Sequence, residues 1–233
     1  MCIELALTEA ASRLRVSVRQ AQRLAQDGRL QVVRRVGRNV IVEDSGVLRR
    51  RRVSTQRGRR WNATTAWAAI DLLDHGRTDR ITGSTLTRLK SRLGQVSVEE
   101  FARLAADRAE TRRMTQTRRR AEALEQSLAL TGRSALDDPS TAAHFGLAGG
   151  GTELVEGYAL RPELEALSLR FGLEADADGE VFLHLTDEDP VSSLLTTALD
   201  LYERGTTRER SAAEKTLRSA LDRYAGPGST SAA

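Results

Sequence analysis

Residues 7–42 limit the possible folds of this chain more than any other stretch. Their apolar residues recur first at the spacing of a helix and then at the spacing of a strand. Ala10, Ala11 and Leu14 share one face of a predicted first helix, and Thr8 is a suitable N-cap for it. We therefore expect the chain to begin with a short helix that buries a small apolar face.

A second helix is predicted over residues 18–26, with Ser17 as its N-cap and Gly28 as the residue that ends it. The apolar residues of this helix share the face that would pack on the first helix: Ala21, Leu24 and Ala25. Long polar side chains share the opposite face: Arg19, Gln22, Arg23 and Gln26. The pattern predicts two packed helices with one polar face left in solvent.

A β-hairpin should follow the second helix. Val32 and Val33 precede a turn predicted at residues 37–39, and the apolar run 40–42 follows it. The hairpin also carries donors suited to phosphates or to a narrow minor groove: Arg34, Arg35, Arg38 and Asn39. Helix, turn, helix and hairpin would together form one small unit.

This combination is typical of proteins that bind double-stranded DNA. A helix fits the major groove, where Arg and Gln can pair bidentately with guanine and adenine edges. We expect the second helix to read base sequence, while the hairpin and the basic run that follows contact the backbone. The predicted DNA-binding residues are Ser17, Arg19, Gln20, Gln22, Arg23, Gln26, Arg34, Arg35, Arg38, Asn39, Arg57, Arg59 and Arg60. The alternative interpretation is a helical hairpin with a solvated arginine face.

Three segments of this stretch, "LTEAASRLRVSVRQAQRL", "DGRL" and "VGRNVIV", resemble the winged helix-turn-helix domains of the MerR and phage-excisionase type. The resemblance covers roughly the first fifth of the chain. It departs at Arg15, where the turn usually has a glycine, and at Gln22, where an aromatic residue is common. It implies a DNA-binding module. Because one small module reads few bases, we expect a homodimer, or two protomers on a repeated site.

The net charge of +4 conceals a strong asymmetry along the chain. Residues 1–60 hold 15 arginines and 5 acidic residues, a net charge of +10. Residues 134–233 hold 8 basic and 18 acidic residues, a net charge of −10. A basic front part suits phosphate binding, whereas DNA would repel the acidic rear part. We expect the rear part to face a partner, unless it is ordinary solvated surface.

The chain as a whole is predicted to be mainly α with a small β component. The strongest charge run, RRRRVSTQRGRR, is either an arm along the phosphate backbone or a solvated linker. The expected division is a winged helix-turn-helix at 1–48, a basic linker at 49–60, a helical segment at 61–127, a small α+β domain at 128–225 and a disordered tail at 226–233.

Three further expectations concern single features of the later segments. Trp67 should anchor a helix in a core rather than stack on a base. A second basic cluster should lie on a helix over residues 112–127, either extending the DNA footprint or forming a solvated face. Asp178-Gly179 predicts a hairpin turn.

Six later segments follow one another in a familiar order. They are "TAWAAIDLL", "LTRLKSRL", "LALTGRSAL", "EGYALRPELEALSLRFGL", "DGEVFLHLT" and "ALDLYERGTTRERSAAEKTLRSAL". In order and local pattern they resemble the AbiEi-type antitoxins of type IV toxin–antitoxin systems, in their actinobacterial helix-turn-helix form. The resemblance implies an autorepressor encoded beside a nucleotidyltransferase-like toxin. It also implies an N-terminal domain that binds the promoter and a C-terminal domain needed for antitoxicity.

Patterns of an enzyme, metal site or cofactor site are not evident in the sequence. His75, His144 and His184 lie in unrelated contexts, and the segment AGGG at 148–151 lacks the lysine of a phosphate loop. The single Cys2 excludes a disulfide framework, and no apolar run reaches the ~18 residues of a membrane span.

We therefore expect a cytoplasmic, nucleoid-associated protein that is not an enzyme, has no cofactor and does not contact a membrane. Two other functions remain open at this point. One is an excisionase-like architectural protein that bends DNA and directs recombination. The other is a protein-interaction module whose DNA binding is vestigial.

Overall fold

The structure is a computed structural model that describes residues 4–14, 16–28, 30, 32–36, 39–43, 59–117, 121–149 and 154–226. Within these ranges helices predominate, and the strands form two small sheets. This confirms the predicted class, mainly α with a small β component. None of the helices in the described ranges has the length and apolar character needed to cross a bilayer.

Two helices and a three-stranded antiparallel sheet occupy residues 4–43, which we call the amino-terminal unit. In chain order its elements are β1 (Glu4–Ala6), α1 (Leu7–Leu14), α2 (Val18–Gln26), β2 (Val32–Val36) and β3 (Asn39–Glu43). Strand β3 lies between β1 and β2. The bounds of α2 are those predicted, and Gly28 has the positive φ, 65°, that ends such a helix.

A small apolar core holds this unit together. Residues of α1 and α2 are buried against each other and against Leu30 and Val42: Leu7, Ala10, Ala11, Leu14, Ala21, Leu24 and Ala25. All of them except Leu7 were predicted to lie on the buried faces. Four of these are alanines, which let the helix backbones approach closely. A core this small contributes limited apolar area, so the unit gains little stability from it alone.

Two local predictions for this unit were wrong. Thr8 does not cap α1, because the buried Leu7 follows β1 directly and is already the first helical residue. Asn39 is not in the turn but opens β3, opposite Val36. The other two residues of that predicted turn, 37 and 38, lie outside the described residues.

The remaining described chain, residues 59–226, is called the body. Its helices are α3 (Ala63–His75), α4 (Gly83–Leu93), α5 (Val98–Leu104), α6 (Ala121–Glu125), α7 (Pro139–Phe145), α8 (Leu164–Phe171), α9 (Leu194–Arg204) and α10 (Thr207–Ala225). Its strands are β4 (Glu110–Gln116), β5 (Ala129–Leu130), β6 (Val155–Leu160), β7 (Leu173–Ala175) and β8 (Val181–Thr186), in the order β5-β6-β8-β4-β7. Only β6 and β8 are parallel among these described pairs.

Capping residues explain where several of these helices begin. The side chain of Asn62 accepts a hydrogen bond from the backbone N–H of Thr65 at the start of α3. Ser97 accepts one from Glu100 at the start of α5, and Thr206 accepts one from Glu209 at the start of α10. At the other end, Gly76 has a φ of 72° and closes α3.

The helix predicted over residues 112–127 was wrong. Arg112 and Arg113 lie on β4, which pairs with β8 on one side and with β7 on the other, and only residues 121–125 are helical. Residues 118–120 lie outside the described part. The strand forms because its partners supply backbone hydrogen bonds from more than 55 residues away, which local periodicity does not report.

The boundary predicted between residues 127 and 128 separates elements that share a sheet and a core. Strand β4 lies inside the sheet formed by strands beyond that boundary. One apolar cluster joins α3 to α9 and α10, with the fully buried Trp67 at its centre. The Trp67 indole donates to the carbonyl of Arg108 and to the hydroxyl of Thr186, both at 3.1 Å. Trp67 therefore anchors the core, as predicted.

The turn at Asp178-Gly179 does not form a hairpin. Strands β7 and β8 flank it, but both pair with β4 rather than with each other, so residues 176–180 pass across β4. Gly179 makes this crossing possible, because a Cβ at that position would overlap the carbonyl oxygen of Met114. A glycine is therefore needed here for close approach rather than for a hairpin turn.

We expect Gly179→Ala to destabilise the protein by about 1–3 kcal/mol, because the added methyl group meets backbone that cannot move aside. Gly94→Ala is the matched control. Its Cβ would have no neighbour closer than 3.8 Å, and its φ of −70° suits alanine. Urea denaturation of both variants measures the difference. Equal midpoints for the two would contradict the crossing geometry.

Candidate nucleic-acid interface

Helix α2 presents a polar face to solvent. Its buried residues form one side, and the side chains of Arg19, Gln22, Arg23 and Gln26 are exposed, as are Val18 and Gln20. The outward direction, opposite the buried residues, is shared by Arg19, Arg23 and Gln26 at i, i+4 and i+7. The structure thus brings together on one helix six of the residues predicted to bind DNA, counting its cap Ser17.

Ser17 fixes where this helix begins. Its hydroxyl accepts a hydrogen bond from the backbone N–H of Gln20 at 3.1 Å, and its backbone is extended, as in other N-caps. The next residue, Val18, keeps 44% of its surface exposed, although it is apolar. The sequence analysis did not single it out. An exposed apolar group beside arginine and glutamine suits the methyl group of a thymine in the major groove.

The hairpin next to α2 carries the predicted backbone contacts. Arg34 is exposed on β2, and Arg35 pairs through its backbone with Val40 of β3. A register shift between Val32 and Arg34 twists this edge of the sheet. Arg38 lies outside the described residues, and the side chains of Arg35 and Asn39 do as well.

The basic run after the hairpin is described only at its end. Arg57 lies outside the described residues, whereas Arg59 is exposed. Arg60 forms an ion pair with Asp107 of the body, with 2.6 Å between its Nη1 and the carboxylate. Arg60 is thus paired with a carboxylate of the body.

A buried polar cluster in the body was missed by sequence reasoning, and Asp200 on α9 lies at its centre. One carboxylate oxygen of Asp200 accepts from the guanidinium groups of Arg108 and Arg204. The other accepts from the hydroxyls of Thr131 at 2.6 Å and Tyr158 at 2.9 Å. Asp200 and Arg108 are both almost completely buried, so they stabilise each other in a medium of low dielectric constant.

Glu156 and His184 extend this cluster on strands β6 and β8. His184 Nε2 lies 3.1 Å from a carboxylate oxygen of Glu156, and that oxygen also accepts from Nε of Arg204 at 2.9 Å. His184 Nδ1 lies 2.8 Å from the hydroxyl of Thr111. His184 is therefore a buried histidine with a partner on each ring nitrogen, although its sequence context gives no sign of these partners. Glu156 and Thr111 are 28 and 73 residues away from His184 in sequence.

The charges in this cluster shift the pKa of its carboxylates. Burial by itself would raise the pKa of Asp200, but the guanidinium groups of Arg204 and Arg108 outweigh burial and hold that pKa well below its usual range. Burial opposes Arg204 and His184 in the same way at Glu156, whose pKa is also lowered. Burial raises the pKa of the Tyr158 phenol, so Tyr158 remains a donor to Asp200.

A divalent metal does not fit this cluster, although Glu156, His184 and Asp200 are close enough to share one. Both oxygens of Asp200 already accept from arginine, threonine and tyrosine donors. A cation would have to displace the guanidinium of Arg204, which bridges the two carboxylates. The donor set therefore holds arginine instead, and its geometry supports a structural role.

Acid should destabilise the protein through these groups. Since the folded pKa values of Glu156 and Asp200 lie below their unfolded values, their contribution is full above pH ~4 and is lost as pH falls below it. The expected slope is up to about 1.4 kcal/mol per pH unit for each carboxylate. Urea midpoints between pH 7 and pH 2.5 measure it.

The variant Glu156→Gln should show a shallower dependence on pH than the wild type, whatever its absolute stability. Asp222→Asn is the control, because Asp222 lies on the exposed face of α10. An unchanged slope in Glu156→Gln would show that the cluster does not set acid stability.

Sequence motifs and geometry leave two features of possible functional importance, the polar face of α2 and the buried cluster around Asp200. The face of α2 is solvent-accessible and chemically suited to bases, whereas the cluster is internally neutralised. Comparisons of the chain with protein-family models, with curated proteins and with solved structures found no match.

Proposed function

We propose that the protein is a sequence-specific DNA-binding regulator whose reading element is α2. The observation that carries the proposal is the exposed polar face of a capped nine-residue helix, with Arg19, Arg23 and Gln26 directed away from the core. Long donors on one rigid helix are what major-groove readout requires. The amino-terminal unit is then a winged helix-turn-helix, and β2 and β3 form its wing.

The distribution of charge along the chain supports an orientation in which the amino-terminal unit faces the DNA. The first 60 residues carry a net charge of +10, which provides the sequence-independent attraction to phosphates. In this arrangement α2 specifies the site, and the arginines of the wing position the protein on the backbone. We propose that two protomers bind one repeated site, because nine helical residues contact only a few base pairs.

Selection from a pool of random duplexes tests this proposal. The purified full-length protein should enrich one sequence motif. It should then bind the enriched duplex at physiological salt about a thousandfold or more tightly than a scrambled duplex of the same composition. Enrichment of no motif, or equal affinity for both duplexes, would refute sequence-specific binding.

The resemblance to AbiEi-type antitoxins supplies a narrower proposal: the protein represses its own operon and counteracts a nucleotidyltransferase-like toxin encoded beside it. The acidic carboxyl-terminal part, with a net charge of −10, would face the partner rather than the DNA. Co-expression tests this. The neighbouring toxin should arrest growth alone and be neutralised when the protein is present. An integrase as the neighbouring gene would contradict the antitoxin role.

The alternative, an excisionase-like architectural protein, makes a different prediction about the DNA. Such a protein bends its site, whereas a simple repressor needs no bend to occlude a promoter. Gel mobility of the selected site, placed at different positions along a longer duplex, distinguishes the two. Position-dependent mobility favours the architectural function, and uniform mobility favours the repressor.

A further inference from the structure

A cavity of about 170 Å³ lies beside the buried polar cluster, between the body and the amino-terminal unit. Its polar lining comes from Arg113, Arg133, Glu156, Asp200 and Arg204, and its apolar wall includes Phe182. The sequence analysis gave this place no function, and the proposed reading of DNA by α2 does not use it. Its lining shows which kind of ligand it would accept.

The acceptors that line this cavity are already occupied. Each oxygen of Asp200 accepts two hydrogen bonds, as described above. One oxygen of Glu156 accepts from Arg204 and lies 3.1 Å from His184 Nε2, and the other accepts from the backbone N–H of Arg133 at 3.2 Å. A ligand that donates hydrogen bonds would therefore find few acceptors here.

The donors of the lining are not all used. Among the residues that the structure describes, Nη1 of Arg204 makes a single long contact of 3.4 Å, to Glu203. Arg133 donates from Nε and Nη2 to Glu209 at 3.3 and 3.2 Å, and within the described residues its Nη1 makes no hydrogen bond. The side chain of Arg204 is 91% buried, so this donor capacity lies in a place that water reaches poorly.

The walls and the size of the cavity further restrict the kind of ligand that it can hold. Arg113 lies over the Phe182 ring, 5.0 Å from its centroid, and donates to the carbonyl of Gly179 at 2.7 Å, so one wall is held rigidly. A cavity of about 150 Å³ is large enough for a molecule the size of benzene. Spare guanidinium donors and saturated carboxylates in such a space favour a small anion.

We propose that this cavity binds a small carboxylate or phosphate anion through Arg133 and Arg204. The anion would lie between the two guanidinium groups, and its occupancy would add to the stability of the folded protein. A carboxylate and a phosphate both present charged oxygens that accept hydrogen bonds from guanidinium groups. The lining therefore favours an anion of either class, and the experiment distinguishes the two classes.

Two residues of the amino-terminal unit, Gly28 and Val32, also line the cavity. Gly28 lies two residues after the end of α2, following the C-cap Asp27, and a Cβ there would overlap the ring of Phe182. An anion in the cavity would therefore lie next to the end of the reading helix. We expect its binding to change the affinity for DNA, and this second part rests on the proposed function.

Thermal denaturation and calorimetry with inorganic phosphate, and separately with malonate, test the site at an ionic strength held constant with chloride. At least one anion should raise the melting temperature saturably and bind with a stoichiometry of one per chain. Arg133→Gln should lose this binding, whereas Arg218→Gln, which removes a charge from the exposed face of α10, should keep it. Arg133→Lys, which keeps the charge, should retain part of it.

A non-saturating rise that both variants share, or no rise with either probe, would overturn the anion site. The link to DNA is judged separately, by the affinity for the selected duplex with and without the bound anion. An unchanged affinity would overturn the link but leave the site intact. Failure to select any duplex would refute the proposed function, while the calorimetric result would still decide the anion site.

Discussion

Asp200→Ala should lose about 3–5 kcal/mol of unfolding free energy, the largest loss expected from a single substitution in this chain. The substitution leaves the guanidinium groups of Arg108 and Arg204 without their shared carboxylate. It also leaves the hydroxyls of Thr131 and Tyr158 without an acceptor. Arg108 keeps its ion pair with Glu203 and Arg204 keeps its ion pair with Glu156. The loss therefore comes from four donors that lose a shared acceptor in a buried site, where an unsatisfied polar group is costly.

Guanidinium or urea denaturation measures this loss, and circular dichroism reports whether the variant still folds at 25 °C. Asp222→Ala on the exposed face of α10 should change stability by no more than about 0.5 kcal/mol. If Asp200→Ala were as stable as that control, the cluster would not hold the body together. A variant too unstable to purify would agree with the prediction, and Asp200→Asn, which keeps one acceptor oxygen, should then recover part of the fold.

The double variant Arg19→Ala/Arg23→Ala should lose specific DNA binding almost completely. Each bidentate contact to a base is worth about 1–3 kcal/mol of discrimination, so the pair should lower affinity for the selected duplex roughly 30-fold or more. Affinity for a scrambled duplex should fall much less. Alanine is the best helix former, and both residues are exposed, so α2 itself should remain folded.

The matched control is Arg13→Ala/Arg218→Ala, which removes the same charge from α1 and α10, away from the reading face. Fluorescence anisotropy with both duplexes compares the two double variants. An equal loss for both would mean that arginine acts only through charge. The reading role of α2 would then be wrong, even if the protein binds DNA tightly.

Helix α2 of the amino-terminal unit could be predicted well because the residues that determine it lie close together in the sequence. The cap Ser17, the helical spacing of Ala21, Leu24 and Ala25, and the terminating Gly28 all lie within twelve residues, and α2 has the predicted bounds. The prediction of the first residue of α1 failed, because it depends on the neighbouring strand. Strand β1 runs directly into α1, so Thr8 became an interior helical residue rather than a cap.

The body could be predicted only in part, because its decisive contacts are distant in sequence. The helix anchored by Trp67 was predicted correctly, yet β4 was mistaken for a helix because its partners are β7 and β8. The cluster around Asp200 joins residues up to 92 positions apart. Its members look like ordinary charged residues in the sequence, and only the fold brings them together.

The central claim is that α2 reads bases in the major groove, and 7-deazaguanine substitution tests it most directly. This base lacks the N7 acceptor of the major groove but keeps its Watson–Crick pairing and its minor groove. Each guanine of the selected duplex is replaced in turn, and affinity is measured for the wild type and for Arg23→Ala. We predict one guanine whose substitution weakens the wild type about fivefold or more and leaves Arg23→Ala unchanged. Wild-type affinity that is the same for every substituted duplex would contradict the account.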